Sequence, residues 1–136
     1  MPKIKKPIYS YASGKRRTAS ARVRLFSGKG ASQVNGKSFD EYFPGAAQKV
    51  LWIKPFELTG TQDKYYVTVK VAGGGKHGQL EATVHAIAKV LAQKDPEKFR
   101  IPLKKAGLLT RDSRVRQRRM VGKGGKSRRA KQSPKR

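Results

Sequence analysis

Gly73, Gly75 and Gly78 are spaced as G-x-G-x-x-G, between a stretch that alternates like a strand and one with helical periodicity. That is the local context of a dinucleotide-binding loop. The downstream residues do not complete such a site. Those after the helix read as capped turns, so Asp95 and Glu97 have no strand end from which to reach a ribose. A chain of 136 residues is also short for two βαβ halves and a substrate site. Gly73 and Gly78 have the separation of a P-loop, but Gln79 and Leu80 stand where Lys and Ser or Thr are required. Two readings of the loop remain. A Gly-rich turn entering a helix leaves backbone N–H groups at the positive end of the helix dipole, and Lys76 and His77 add donors, which suits RNA phosphate. Equally, the glycines serve a turn that needs positive φ.

Other reactive groupings are absent from the sequence. His77 and His85 are the two histidines, there is no cysteine, and we expect no carboxylate to act as a ligand beside either imidazole. Neither a metal nor an organic cofactor is expected. The eight acids are scattered, and there is no G-x-S-x-G and no assembled Ser/His/Asp set, so the chain does not read as an enzyme. Its chemistry is charge: 33 Lys and Arg against 8 Asp and Glu, a net +25. Nucleic acid is the leading partner, since every phosphate neutralised releases condensed counterions. A membrane surface is the weaker one, because no apolar run approaches the ~20 residues of a spanning helix. The N-terminus is basic without the apolar core of a signal peptide, which fits a cytoplasmic chain or one in an organelle matrix.

The charge is concentrated at Arg111–Arg136, where no acid follows Asp112 and Val115, Met120 and Val121 are the only sizeable apolar residues. Such a segment cannot offset an ordering entropy of about 1–2 kcal/mol per residue, and we expect it extended or disordered in free solution. It serves either as an arm for a polyanion or as a solubilising tail. The expected division is a globular RNA-binding body over residues 1–110 and an extended basic tail over 111–136.

The body must position the rest. Pro2 to Pro7 is a basic arm. Ile8, Tyr9 and Tyr11 suggest a first strand, and Gly14-Lys15-Arg16-Arg17 a turn with three adjacent cations. From Ala19 to Phe26 the residues alternate: Ala21, Val23 and Leu25 face a core, while Arg22, Arg24 and Phe26 face outward. Phosphate contact by Arg22 and Arg24 is weighed slightly above an ordinary solvated strand face. Ser32 to Asn35 is a short strand before the hairpin-type turn Asn35-Gly36. Ser38 and Glu41 have capping-box spacing, and Ala46 to Ile53 forms a helix expected to end before Pro55. Val50, Leu51 and Trp52 are candidates for core or docking, with base stacking by Trp52 the lesser reading. Thr59 to Lys64 is a loop. Tyr65 to Val71 alternates again, with Val67, Val69 and Val71 inward. Leu80, Val84, Ile87, Ala88 and Leu91 make a helical stripe that leaves His85 and Lys89 toward the outside. Asp95-Pro96 caps a short helix; Pro102 begins another, ended by Gly107.

The stretch GGGKHGQLEATVHAIAKVL, Gly73 to Leu91, resembles the signature of the ninth-protein family of the small ribosomal subunit. Val90 stands where that family usually has a smaller residue or Leu. GKRRTASARVRLFSGKG looks like the family's N-terminal hairpin, VNGKSFDEYF like its turn into the first helix, LLTRDSR like its entry to the tail, and Lys135-Arg136 like its terminal pair. The resemblance spans nearly the whole chain.

It implies an α+β fold: a mixed sheet of about four strands with helices packed on one face, similar to the second domain of small-subunit ribosomal protein five, plus a long basic C-terminal tail. It implies a structural constituent of the small subunit that binds ribosomal RNA of the head and touches peptidyl-site tRNA, with neighbouring head proteins as partners and no homo-oligomer. The expected ribosomal RNA contacts are Lys15, Arg16, Arg17, Arg22, Arg24 and Lys76 of the body, and Arg111, Arg114, Arg116, Arg118, Arg119, Lys123, Lys126, Arg128 and Arg129 of the tail. Lys135 and Arg136 would meet the tRNA anticodon stem-loop. The family usually ends in Gln, an aromatic, Ser, Lys, Arg, whereas this chain ends in Gln132-Ser133-Pro134-Lys135-Arg136. The electrostatic part of the contact is retained, and stacking, ~1–3 kcal/mol per base where present, is lost. A free-standing, non-specific nucleic-acid binder is the alternative function.

Overall fold

Alternation in the first part of the chain builds an antiparallel pair. In the computed structural model, which describes residues 8–121, β1 (Ser10–Arg16) pairs with β2 (Ala19–Ser27) from Ser10 opposite Leu25 to Arg16 opposite Ala19. Ile8 and Tyr9 precede the strand. Gly14, Lys15 and Arg16, expected in a turn, lie within β1, and only Arg17 and Thr18 turn, with Arg17 at φ 56°. The cluster of cations suggested a loop; the inward positions of the strand decided otherwise, since Ala12, Gly14 and Arg16 are all buried.

Asn35 and Gly36, at φ 51° and 81°, form the tight turn between β3 (Gln33–Val34) and β4 (Lys37–Ser38). Positive φ at both central residues matches the twist of a two-residue hairpin. β3 runs parallel to β5 (Tyr65–Ala72), which pairs antiparallel with β2. The Asn35 side chain extends this junction: its Nδ2 donates to Val71 O (3.1 Å) and its Oδ1 accepts from Val71 N (3.0 Å). The sheet is therefore mixed, in the order β1-β2-β5-β3-β4. It has five strands rather than about four, because strands of two residues are too short to show alternation.

Four helices follow the capping signals only in part. Ser38 Oγ accepts from Glu41 N–H (3.3 Å) at the start of α1 (Phe39–Tyr42). The second helix, α2 (Ala46–Thr59), does not stop before Pro55 but runs through it. The ring removes the bond its N–H would make to the carbonyl of Leu51. Burial of Pro55 and Phe56 offsets that loss, and Gly60 at φ 63° closes the helix, with Gly60 N–H donating to Glu57 O and Thr61 N–H to Phe56 O. The long helix α3 (Lys76–Lys94) leads through Asp95 into α4 (Pro96–Lys105). Pro102 lies inside α4 and starts no second helix. Leu103 next to it is fully buried, and Gly107 at φ 75° ends the helix with the same paired bonds, Gly107 N–H to Lys104 O and Leu108 N–H to Leu103 O.

The core lies between one face of the sheet and α3. Val23, Leu25, Val34, Val67 and Val69 meet Leu80, Ile87 and Leu91, while α2 and α4 flank α3 and add Phe56 and Leu103. Cover from the sheet, where Ala86 meets Gly14, together with that from α2 and α4 explains why Thr83, Ala86 and Val90 are buried along with the expected stripe, in which Val84 is only half-buried. Val50 and Leu51 remain exposed on α2, and Trp52 packs against Phe39 with ring centroids 4.3 Å apart.

The tightest contact is at Gly14, where a Cβ would stand 2.3 Å from Ala82 O and 2.8 Å from Ala86 N. The obstacle is helix backbone, which cannot rotate aside. Gly14→Ala is expected to lower stability by about 2–3 kcal/mol through forced separation of β1 and α3, read from the urea midpoint of the full chain. An unchanged midpoint would show that the helix yields freely.

Candidate nucleic-acid interface

Strand alternation divides the sheet into a covered and an open face. The open face receives Tyr11, Ser13 and Lys15 from β1, Ser20, Arg22, Arg24 and Phe26 from β2, and Tyr66, Thr68 and Lys70 from β5. None of these is acidic. The register places Arg22 directly opposite Lys70, with Ser13 on its other side, and Arg24 between Tyr11 and Thr68. Like charges in directly opposed positions destabilise a sheet unless a counter-charge joins them. Arg22 and Lys70 also line an open groove with Ser20, Thr68 and the Asn35-Gly36 turn. Lys70 is not in the site set expected from sequence. Its outward position was legible in the alternation, but its place opposite Arg22 depends on β2 and β5 pairing across a long separation.

Aromatic rings accompany the cations. Tyr9, Phe26 and Tyr66 form a row with centroids 5.7 and 5.2 Å apart, and the Arg24 guanidinium lies 5.0 Å from the Tyr9 ring centre. Gly30 closes the far side of Tyr66, where a Cβ would stand 2.8 Å from the ring. Sequence alternation put Phe26 beside Arg22 and Arg24, and Tyr66 beside Lys70, but not the two rings against each other.

The Gly-rich loop sits against the β1–β2 turn. A Cβ on Gly73 (φ 76°) would meet Thr18 O at 2.5 Å, and one on Gly74 (φ 59°) would meet Ala19 N at 3.3 Å. These two glycines answer a backbone requirement, so the turn reading holds for them. Gly75 caps α3 with no side-chain hydrogen bond, which leaves the helix start open next to the exposed Arg17. The side chains beside it stay exposed but have protein partners: Lys76 Nζ donates to Tyr42 O (3.1 Å) over the Tyr42 ring, and His77 Nε2 lies 3.2 Å from Glu81 Oε1, a carboxylate one helical turn on that the sequence reading had not paired with it.

Arg16 has a different environment from its neighbours. It points to the covered side and is only 7% exposed. Its Nε donates to Glu81 Oε2 (2.6 Å), its Nη1 to Arg114 O (2.7 Å), and its Nη2 lies 3.3 Å from Asp112 Oδ2. One buried guanidinium thus ties β1 to α3 and to the root of the tail. Arg114 grips Asp112 as well, through Nε (2.9 Å), Nη2 (2.7 Å) and its backbone N–H (3.1 Å). These bonds from Arg114, with Arg16 beside them, hold the Asp112 carboxyl well below the usual carboxylate range, and the Arg114 guanidinium is raised in return. Beyond this knot, residues 113–120 are exposed and have no regular secondary structure.

His85 does not face outward as the stripe suggested. Leu108 and Leu109 pack back on the core, and His85 Nε2 lies 3.3 Å from Leu109 O while Nδ1 is buried without a partner. Burial lowers its pKa from 6.5, the bond to Leu109 opposes this, and the charges of Lys89 and Arg111 lower it further. Lys89 donates to Ser13 O (2.9 Å).

Of the expected contacts, Lys15, Arg17, Arg22 and Arg24 are therefore exposed on or beside the open face, and Arg111, Arg116, Arg118 and Arg119 along the tail root. Arg16 and Arg114 are joined in the knot. Lys123, Lys126, Arg128, Arg129, Lys135 and Arg136 lie outside the described residues. Among the described residues, no three His, Cys, Asp or Glu converge on one point, and no helix is long and apolar enough to cross a membrane.

Known proteins match the chain along most of its length. The family described as ribosomal protein S9/S16 matches residues 14–136. The chain is similar to small ribosomal subunit protein uS9 of Maridesulfovibrio salexigens, 44% identical over 117 residues that cover 86% of this chain and 89% of that protein. It is similar to the protein of the same name from Desulfovibrio desulfuricans, 45% identical over 114 residues, 84% of this chain and 87% of the relative.

The knot and His85 each lead to a measurable outcome. Arg16→Met removes the buried partner of Glu81 and one of the two cations on Asp112, so it is expected to cost about 1–3 kcal/mol of stability. It should also raise trypsin cleavage after Arg114 relative to cleavage after Arg118. An unchanged cleavage ratio would show that the root is held by something else. For His85 the folded pKa is depressed, so its contribution is fully present above 6.5 and is lost as pH falls below that value. The urea midpoint should drop between about pH 7 and 5, and His85→Gln should flatten that part of the profile. Parallel profiles for the two proteins would argue against this linkage.

Proposed function

The chain belongs to the ribosomal protein S9/S16 family, and we propose that it holds ribosomal RNA on its open sheet face while its tail continues along the RNA toward the peptidyl-site tRNA. As a member of that family it is an RNA-binding, structural component of the small ribosomal subunit, within the ribonucleoprotein that carries out translation. Its place is the ribosome, and its partners are ribosomal RNA and other ribosomal proteins. The names of its relatives point to structure and not to catalysis.

One observation supports the RNA face above the others: an acid-free sheet surface on which Arg22 and Lys70 stand opposite one another. That arrangement costs stability in the free chain and is relieved when a phosphate lies between the two side chains. Lys15, Arg17 and Arg24 extend the same surface. The open start of α3 offers backbone donors at its margin. The row of rings gives Arg24 and an approaching base an apolar floor.

We read residues 1–110 as the body and 111–136 as the arm. The arm's cations, Arg111, Arg116, Arg118 and Arg119 and those beyond, neutralise converging phosphates. Arg16 and Arg114 act otherwise: they set the direction in which the arm leaves. Lys135 and Arg136 reach the tRNA backbone by charge. The bacterial relatives favour a bacterial cytoplasmic ribosome.

The test is binding of the full chain to small-subunit ribosomal RNA across a salt series. Changing Arg22, Arg24 and Lys70 to Gln together should flatten the slope of log affinity against log salt by about two to three units. Deleting Lys135 and Arg136 should leave that slope nearly intact but weaken tRNA retention in reconstituted subunits several-fold. A free-standing, non-specific binder would instead wash off small subunits at high salt and show no preference among RNAs.

A further inference from the structure

A cleft of about 550 Å³ opens between α1, the second half of α2 and the loops that precede β3 and β5. Its walls include Phe39, Trp52, Phe56 and Tyr65, with Asp40 and Glu57 beside them. None of its lining residues is Lys or Arg, although the chain has 33 of them in 136. The groove on the sheet face holds Arg22 and Lys70, and the cleft at the tail root holds Lys15 and Arg16. An adjoining depression shares Glu57 and adds Asp63 together with one cation, Lys64. These acids are not consumed internally. Asp40 has one stretched contact to Lys49 at 4.0 Å, and Glu57 and Asp63 have no ion pair among the described residues. Trp52 Nε1, in the same wall, finds no acceptor.

We propose that this cleft is the docking site for a Lys- or Arg-rich peptide segment of a neighbouring protein in the small subunit. RNA is disfavoured here, because its phosphates would face carboxylates. A purely apolar helix would leave those carboxylates without a partner at the rim. A Lys or Arg side chain fits both features at once: its methylene stem packs on rings and its head group reaches Asp40 or Glu57. This chain's own tail shows the kind of segment that proteins in an RNA-rich assembly carry. The inference rests on membership in the small subunit and not on the RNA contacts assigned to the sheet face.

Gln62 lines the cleft and is exposed, so a benzophenone amino acid placed there in the full chain probes the site within assembled subunits. After irradiation, mass spectrometry should find it joined to a Lys/Arg-rich segment of another small-subunit protein. Asp40→Asn with Glu57→Gln should cut that yield by about tenfold, while the chain still sediments with small subunits. Attachment to RNA, to a second copy of this chain or to a segment without cations would overturn the proposal. So would no protein adduct, or a yield unchanged by the double substitution. A chain that stays at the top of the gradient would instead remove the small-subunit premise.

Discussion

The fold depends on how closely β1 lies against α3. At Gly14 the strand and helix backbones nearly touch, and any side chain there would enter the carbonyl of Ala82. Ala12, Ala82 and Ala86 keep the rest of the seam small. Close packing of this kind gains dispersion energy over many weak contacts. It also sets the position of the next residues on the same face of the strand. Two residues after Gly14 comes Arg16, brought within 2.6 Å of Glu81 on the second turn of α3.

That guanidinium is an expensive group to bury. A cation at the edge of a core is tolerated when its donors are satisfied and its charge is matched. Arg16 meets both conditions by taking Glu81, Asp112 and the carbonyl of Arg114. The chain has eight acids, and two of them are used here. The result is a fixed root for a segment that has almost no apolar residues to fix itself. Below it, Leu108 and Leu109 rejoin the core against His85, so the end of the body is secured by apolar packing and its exit by ion pairs.

Placing every helix on one side has a second consequence. The opposite face of the sheet is left to its outward residues, and those are cations, hydroxyls and rings. A free protein gains nothing from Arg22 standing opposite Lys70. In a ribonucleoprotein the same arrangement would be the seat that we propose for the polyanion. Asp40, Glu57 and Asp63 fall on another part of the surface, in and beside the cleft near Trp52. The two surfaces therefore suit partners of opposite sign.

The sequence alone determined much of this. Alternation in Ala19–Phe26 and Tyr65–Val71 named the core and the open face, because each side chain in a strand has only two directions available. Asn35-Gly36 named its turn, since few residues accept positive φ. Net charge named the partner class, and the Gly73–Leu91 signature named the family. Local signals misled where burial outweighed them. Pro55 and Pro102 stand inside helices because buried neighbours and glycine ends offset their cost. Only the tertiary structure decided the role of Arg16. In sequence it is one of three adjacent cations, indistinguishable from Lys15 and Arg17. Its partners are 65 and 98 residues away for the two shortest contacts. No local pattern encodes a contact that exists only once β1, α3 and the tail root have come together.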